Sequence, residues 1–224
     1  NKEKYHDDDE MWNTAEGALR DIMNSLGLEY TEEIGEAAFY GPKLDVNVQP
    51  AVGNEITLST CQLDFCLPAK FNLYYIDKDG EKKTPVVLHR AILGSLDRFM
   101  AYILEETKGN LPTWLAPVQT RVMPVKTDDE ALNAYAKEVY DTLMENDIRV
   151  ELDDRAEKLG YRMRDGQIQK VPYLLVIGIN EKDNKTVTFR LHGEQETTTL
   201  PLDEFVENLK KEINEKARTH MNHT

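Results

Sequence analysis

The sequence predicts an α+β first half followed by an α/β second half, and three observations support this prediction. Segments with helical periodicity and segments with strand alternation follow one another through the 224 residues, and Gly and Pro turn signals separate them. A cluster of Gly and Pro at 109–117 then interrupts the pattern. We therefore expect two domains, residues 1–112 and 113–224, each of ordinary domain size.

The first half begins with an amphipathic helix and continues with strands. Residues 9–28 place apolar side chains at helical spacing, and Gly27 is typical of a helix end. A long helix is predicted at 94–109, and we expect it to pack across one face of the sheet. Consecutive antiparallel strands are predicted where apolar and polar residues alternate between turns, at 37–51, 55–65 and 71–90.

The second half alternates strands and helices, which predicts a mixed sheet flanked by helices. The helix at 128–147 has a candidate N-cap at Thr127 or Asp128. Further helices are predicted at 156–169 and 201–220. The predicted strands are 118–125, 148–153, 173–178 and 186–191.

Composition and charge exclude several classes of protein. A net charge of −14 argues against DNA binding and requires any nucleic-acid contact to use a local basic patch. Cys61 and Cys66 fit neither a disulfide framework nor a zinc spacing, so we expect reduced, buried thiols. No apolar run reaches the roughly 18 to 20 residues of a membrane span, and the charged N-terminal residues are unlike a signal peptide. These features predict a cytoplasmic protein without membrane contact.

Several motifs in order resemble the threonyl-tRNA synthetases, a class II aminoacyl-tRNA synthetase family. The motifs are FYGPKLD, STCQLDF, HRAILGSLDRF and WLAPVQ, and RAEKLGYRMRDGQIQKVPYLLVIG extends the resemblance into that family's anticodon-binding domain. The resemblance implies a partial class II antiparallel sheet followed by a mixed-sheet anticodon-binding domain. Only the third class II motif is found, so we expect the first two upstream of Asn1 and the chain to be a C-terminal portion.

The third motif contains Arg98 and Gly94. The resemblance implies that Arg98 lies against the adenine ring of ATP and reaches its γ-phosphate, since a guanidinium can stack and form paired hydrogen bonds. Gly94 would let the backbone pass close to the nucleotide. Without the resemblance, Arg98 would be interpreted as a helix-surface partner of the adjacent Asp97.

His89 would be interpreted, from its position alone, as a structural histidine. The resemblance implies instead that it is one of three ligands of a catalytic-site zinc, whose open position takes the amino and hydroxyl groups of threonine. The other two ligands are expected upstream, and Cys61 is not a replacement because it occupies an apolar position of STCQLDF. The chain alone is therefore expected to bind zinc weakly or not at all.

Further residues are implied to face the threonine and adenylate pocket. Lys43 offers a positive charge to phosphate or carboxylate, with Arg98 as the second catalytic residue. The alternative is that FYGP forms a turn and that the strand residues point outward. Thr57 stands where the family has glutamine. The remaining binding residues are Tyr40, Thr60, Gln62, Gly94 and Ser95.

Anticodon recognition is implied for the second domain, where residues 155–170 carry five basic and two acidic side chains. Such a patch positions phosphates, although a solvated helix face also explains it. The resemblance assigns base reading to Arg164, Glu181 and Arg190. Ala156 replaces a family asparagine, and FRLHGEQ replaces an arginine-rich stretch.

The resemblance implies attachment of L-threonine to its tRNA through an adenylate, with ATP and magnesium, in a homodimeric parent enzyme. The chain alone is expected to be inactive because motif 2 is not found. A non-catalytic tRNA-binding or regulatory paralogue is one alternative, and a prolyl or histidyl enzyme is another. Retention of Lys43, Gln62, His89 and Arg98 favours catalysis, and His89 favours threonine.

Overall fold

The computed structural model describes residues 3–220, and the chain divides into two compact units. The first unit is Asn1–Glu106 and the second is Thr107–Thr224. None of the helices between residues 3 and 220 combines the length and the apolar composition that a bilayer crossing needs.

Helix α1 (Asp9–Leu26) opens the first unit. The carboxylate of Asp8 caps it by accepting a hydrogen bond from the backbone N–H of Met11, at 3.0 Å. Gly27 ends the helix in the left-handed conformation, with φ of 64°. The predicted helix and its glycine stop are therefore confirmed.

A three-stranded antiparallel sheet follows, with strand order β1-β2-β5. Its strands are β1 (Lys43–Val48), β2 (Ile56–Asp64) and β5 (Val87–Ala91), and the short helix α2 (Cys66–Lys70) follows β2. Strands β3 (Tyr75–Ile76) and β4 (Lys82–Lys83) form a separate two-stranded sheet and pair with no other strand of the described residues. The prediction of one consecutive sheet is wrong for this pair, because its tight turn closes it into a separate hairpin.

Helix α3 (Leu96–Glu106) contributes no buried residue. Its apolar side chains at Leu96, Met100 and Leu104 are exposed, with Leu96 at 75%. On the opposite face of the helix, Phe99, Tyr102 and Ile103 are half-buried. The packing of this helix across the sheet therefore stays a prediction. Both cysteines are free thiols; Cys66 is buried as predicted, but Cys61 is only half-buried.

The second unit contains a five-stranded mixed sheet with strand order β10-β9-β8-β6-β7. Strand β6 runs parallel to β7 and β8, whereas β8–β9 and β9–β10 are antiparallel. This confirms the predicted mixed sheet. The strands are β6 (Thr120–Pro124), β7 (Val150–Leu152), β8 (Tyr173–Ile177), β9 (Thr186–Leu191) and β10 (Thr198–Pro201).

Up to residue 220, four helices accompany this sheet. Asp129 caps the first of them, rather than Thr127 or Asp128, by accepting from the N–H groups of Ala131 and Leu132. The short helix α6 and the strand β10 were not predicted. The helices are α4 (Glu130–Glu145), α5 (Leu159–Ile168), α6 (Ile179–Asn184) and α7 (Leu202–Asn214).

Apolar side chains cover both faces of the sheet in the second unit. On one face, Val122 and Tyr173 pack with residues of α4 and α7, such as Val139 and Phe205. On the other face, Met123, Val171 and Leu174 pack with Leu159 and Met163 of α5. Helix α5 therefore covers the face opposite to α4 and α7.

Candidate functional site

A row of three polar side chains crosses the sheet of the first unit. Lys43 on β1 pairs with Gln62 on β2, and Gln62 pairs with His89 on β5. Directly paired residues point to the same face with Cβ atoms about 4.5–5.5 Å apart. The register thus brings together three predicted site residues from three separate segments.

Tyr40 lies beside this row. Its hydroxyl donates a hydrogen bond to Oε1 of Gln62, and its ring centroid lies 5.4 Å from that of His89. Backbone hydrogen bonds from Leu63 to Pro42 and from Phe65 to Tyr40 hold the segment against β2. Gly41 permits this approach, because a Cβ there would lie 1.9 Å from the carbonyl oxygen of Leu63.

Asp45 joins two predicted residues, and the sequence analysis missed it. One carboxylate oxygen lies 2.5 Å from Nζ of Lys43, and the other accepts from the hydroxyl of Thr60 at 2.6 Å. Asp45 pairs with Thr60 across the strands, next to the Lys43–Gln62 pair. Its position two residues after Lys43 on an alternating strand could have predicted that the two side chains share a face.

Asp64 is the second residue that the sequence analysis missed. Its side chain is 0% exposed, and one oxygen lies 2.8 Å from Nε2 of His89. The other oxygen accepts from the backbone N–H groups of Cys66 and Leu67 at 3.0 and 2.9 Å. Alternation places Asp64 on the face of Gln62, but the sequence pattern alone does not show its partner on β5.

The third-motif residues lie at the other end of β2. Gly94 has φ of 65°, and a Cβ there would lie 3.0 Å from the carbonyl oxygen of Leu58. Nη1 of Arg98 donates to the carbonyl of Thr57 at 3.3 Å, and the backbone N–H of Arg98 donates to Oγ of Ser95 at 3.3 Å. The glycine therefore lets this turn approach β2 closely.

The contacts of Thr57 and Asp97 answer two questions from the sequence: what Thr57 contacts, and whether Arg98 pairs with Asp97. The hydroxyl of Thr57, where the resemblance predicted a glutamine, donates to the side-chain oxygen of Asn47 at 2.8 Å. No ion pair joins Arg98 to Asp97, both of which lie within the described residues. Arg98 is thus held by a backbone carbonyl rather than by its neighbour.

Among the side chains that face one another at this site, His89 is the predicted zinc ligand. No group of three histidine, cysteine or acidic side chains within residues 3–220 could hold a metal ion. Cys61 pairs with Leu44 and Arg90 and alternates with Gln62, so it lies on the opposite sheet face from His89. An imidazole with one nitrogen bound to a carboxylate still fits the chemistry of a single zinc ligand.

In the second unit, Glu181 is held by hydrogen bonds to both oxygens. Oε2 accepts from the backbone N–H of Gly178 at 2.9 Å, and Oε1 accepts from the hydroxyl of Thr188 at 2.7 Å. The hydroxyls of Thr188 and Thr199 are 2.7 Å apart. Glu181 therefore caps the backbone N–H of Gly178 at the start of α6 and is also fixed against β9.

Arg190 and Arg164 lie on the same side of the sheet as α5. Arg190 on β9 pairs with Leu174 on β8, whose side chain packs beneath α5. Its Nε is buried and has no acceptor among residues 3–220. Arg164 is exposed on α5. The register thus assigns Thr188, Arg190 and α5 to one face.

The predicted basic patch at 155–170 is largely engaged in internal contacts. Arg155 forms ion pairs with Asp153 and Asp165. Arg162 is 0% exposed and donates to the carbonyls of Asp153, Glu157 and Pro124. Nζ of Lys170 donates to the carbonyl of Lys108. The charge count therefore overstates the positive charge that residues 155–170 leave free for RNA.

The carboxylate of Asp153 and the guanidinium of Arg162 show the electrostatics of this region. Burial acts to raise the pKa of Asp153, but the hydrogen bonds and the charge of Arg155 outweigh it and hold that pKa below its usual value. Burial lowers the pKa of Arg162 from its ordinary value, against the opposing charge of Asp153. The charged forms of Asp153 and Arg162 are therefore stabilised by partners within the chain.

Comparisons with known protein families match both units of the chain. Residues 2–107 match the tRNA synthetase class II core domain (G, H, P, S and T). Residues 119–212 match the anticodon binding domain.

Curated relatives match nearly the whole chain. A threonine--tRNA ligase of Staphylococcus saprophyticus is 55% identical over 212 residues, which is 95% of this chain and 33% of the relative. A threonine--tRNA ligase of Geobacillus kaustophilus is 53% identical over 215 residues, which is 96% of this chain and 33% of the relative. The chain thus spans about a third of the length of the curated relatives it matches.

A solved structure shares the fold of both units. The crystal structure of the RNA binding domain of threonyl-tRNA synthetase from Cryptosporidium parvum matches with a TM-score of 0.83 and 34% identity. The match covers 98% of this chain and 54% of that one. Core domain, anticodon domain and whole-chain relatives agree, and the chain therefore belongs to the threonyl-tRNA synthetase family of class II aminoacyl-tRNA synthetases.

Proposed function

We propose that the intact protein attaches L-threonine to its tRNA, using ATP as the magnesium complex to form threonyl-adenylate first. In this proposal, residues 1–112 form part of the catalytic domain and residues 113–224 form the anticodon-binding domain. The identity of the chain to threonine--tRNA ligases over nearly its whole length supports the proposal. We also propose a homodimeric parent enzyme in the cytoplasm.

The row formed by Lys43, Gln62 and His89 is the observation that carries the catalytic proposal. Lys43 would offer its positive charge to the carboxylate or phosphate of the adenylate. Gln62 would supply directional hydrogen bonds to the amino acid, with its side chain oriented by the hydroxyl of Tyr40. Adenylate formation is chiefly positioning and charge stabilisation, which these groups can provide.

The turn that contains Gly94, Ser95 and Arg98 would bind the nucleotide. Arg98 would stack on the adenine and reach the γ-phosphate. Gly94 would keep the backbone close to β2, and the hydroxyl oxygen of Thr60, whose hydrogen is donated to Asp45, would offer an acceptor.

His89 would be one ligand of a zinc ion in the intact enzyme. Zinc in such a site supplies a Lewis acid for the amino and hydroxyl groups of threonine. His89 would contribute an imidazole nitrogen whose ring is oriented by the neighbouring carboxylate.

Anticodon reading is proposed for Arg164, Glu181 and Arg190. Glu181 would accept hydrogen bonds from a base edge, because each of its oxygens retains a lone pair beside its internal contact. Arg190 is half-buried on the sheet face that α5 covers, and the accessible part of its side chain would contact the RNA.

Threonine-dependent ATP–pyrophosphate exchange tests the catalytic proposal. It is measured with the chain alone and after addition of the remaining part of a relative's catalytic domain. We expect exchange in the complemented sample, with loss on Arg98→Ala or Lys43→Ala. Absence of exchange despite formation of the complex, together with intact tRNA binding, would instead support a non-catalytic tRNA-binding paralogue.

Titration of the chain with the anticodon stem-loop of threonine tRNA tests the second proposal. Arg164→Ala is expected to weaken binding, because this exposed guanidinium has the freedom to contact RNA. Lys137→Ala is the control, since Lys137 lies on α4, on the other side of the sheet, and pairs with Asp141. Equal affinities of the two variants would contradict the assignment of this face.

A further inference from the structure

The carboxylate of Asp64 has a fixed orientation beside His89. Its side chain is completely buried, and one oxygen accepts two backbone N–H groups at the start of α2, from Cys66 and Leu67. The other oxygen is therefore the one directed at the imidazole, 2.8 Å from Nε2. The backbone of α2 thus determines how this carboxylate meets the ring.

The direction of the hydrogen bond follows from the chemistry of the two groups. An ionised carboxylate only accepts hydrogen bonds, so Nε2 of His89 must carry the hydrogen. A neutral imidazole has a single N–H, which leaves the lone pair on Nδ1. No hydrogen bond joins Nδ1 to any residue between 3 and 220.

We propose that Asp64 is a positioning residue that holds His89 in the Nε2–H tautomer and leaves Nδ1 as the nitrogen presented to a ligand. The inference rests on the proposed role of His89 as a zinc ligand. Histidines that bind metals generally donate their other ring N–H to a carboxylate, a carbonyl or a water, and this contact fixes ring orientation and tautomer. Asp64 supplies that contact from a completely buried position.

Substitution by asparagine distinguishes positioning from simple packing. In Asp64→Asn, the amide oxygen is required by the N–H groups of Cys66 and Leu67, so the NH₂ group faces Nε2 of His89. An NH₂ group donates, and Nε2 must then accept. The ring hydrogen therefore moves to Nδ1, and the tautomer inverts while the contact remains.

The experiment records long-range ¹H–¹⁵N spectra of the imidazole rings of the ¹⁵N-labelled chain at alkaline pH. The sequence contains five histidines, and a His89→Gln sample assigns the His89 signals. We expect the Nε2–H tautomer in the wild-type chain and the Nδ1–H tautomer in Asp64→Asn. Asp45→Asn is the matched control, because Asp45 lies on the same sheet face but contacts Lys43 and Thr60 instead.

Two results would overturn the inference: a wild-type chain in the Nδ1–H tautomer, or an Asp64→Asn variant with the wild-type pattern. If the variant does not fold, the wild-type spectrum alone decides. Addition of Zn²⁺ separates this inference from the proposed function. For this step the labelled chain is first complemented with the remaining part of a relative's catalytic domain, because the other two ligands are expected there. A shift of the His89 signals then supports its role as a ligand, whereas no shift contradicts that role and leaves the tautomer result as the test of Asp64.

Discussion

Gly166 faces the side chain of Leu174, and a Cβ there would lie 2.5 Å from the nearest methyl group. Leu174 is completely buried, so it has little room to move. We expect Gly166→Ala to lower the free energy of unfolding of the second unit by about 1–3 kcal/mol, the usual cost of overpacking. Urea denaturation followed by Trp114 fluorescence in a Trp12→Phe background measures the change.

Gly160→Ala on the same helix is the control for this prediction. A Cβ at Gly160 meets nothing within 4 Å. We expect this variant to be neutral or more stable by up to about 1 kcal/mol, because alanine favours helices. Equal destabilisation by the two substitutions would show that backbone effects, rather than the Leu174 contact, determine the result.

Asp153 links the stability of the second unit to pH. Burial acts to raise the pKa of Asp153 in the folded chain, but the hydrogen bonds and charge of Arg155 outweigh burial and lower that pKa. The ionised carboxylate therefore stabilises the folded chain at pH values above the pKa that Asp153 has in the unfolded chain. That stabilisation is lost as pH falls through the folded pKa. We expect Asp153→Asn to cost about 1–2 kcal/mol at neutral pH and the difference from wild type to shrink below about pH 4.

Denaturation curves at several pH values check this expectation with the same Trp114 signal. Asp154→Asn is the matched control, because Asp154 is exposed. A constant difference between wild type and Asp153→Asn down to pH values well below the usual range for aspartate would contradict it.

Residue patterns could identify some members of the site but not their partners. Alternation alone places Lys43 with Asp45 and Gln62 with Asp64 on shared faces. Register between strands decides that Gln62 meets both Lys43 and His89, and register depends on tertiary pairing rather than on local sequence. Asp64 was missed for this reason, whereas the spacing of Asp45 from Lys43 could be read from the strand alternation.

At the scale of elements, Thr188 on β9 connects the strand to Glu181 on α6. We expect Thr188→Val to weaken binding of the anticodon stem-loop about tenfold, a loss of about 1.4 kcal/mol, because Glu181 loses one of its two fixed contacts. Valine keeps the shape and suits a strand, so the fold should be retained. Fluorescence anisotropy with labelled RNA measures the affinity, and circular dichroism checks the fold.

Thr199→Val provides a graded control, since it removes the second threonine and leaves the Thr188–Glu181 hydrogen bond in place. Its effect should be smaller than that of Thr188→Val. The idea that β9 positions Glu181 fails if Glu181→Gln weakens binding and Thr188→Val does not.

Long periodic elements could be predicted, and short ones could not. Helix α1 and helix α4 carry several turns of apolar spacing, and their ends carry capping residues. Helix α6 has six residues and β10 has four, too few for either periodicity to emerge. The β3–β4 hairpin resembled the strands around it in pattern, and only its pairing shows it to be separate.

At the scale of the whole molecule, the salt dependence of RNA binding reports how many basic groups are exposed. Among residues 155–170, Lys158 and Arg164 are exposed and have no hydrogen bond or ion pair from their side chains within the described residues, whereas Arg155, Arg162 and Lys170 have internal partners. If the side chains of Lys158, Arg164 and Arg190 lie close enough to neutralise phosphates of the RNA, two or three such contacts predict a slope of log affinity against log salt of about −2. Five contacts would predict about −4.

Affinities of the stem-loop at several salt concentrations give this slope. Arg164→Ala should reduce its magnitude by about 1 if the guanidinium contacts a phosphate. A slope near −4 would show that the internal ion pairs open on binding.

Arg162 determines how α5 can respond to a bound RNA. Its guanidinium, two residues from Arg164, joins the helix to carbonyls of Pro124, Asp153 and Glu157. Any movement of α5 would leave a buried positive charge without acceptors, which is costly. A nucleic acid that contacts Arg164 therefore contacts a helix whose position is fixed. Conformational adjustment on binding then takes place in the RNA loop.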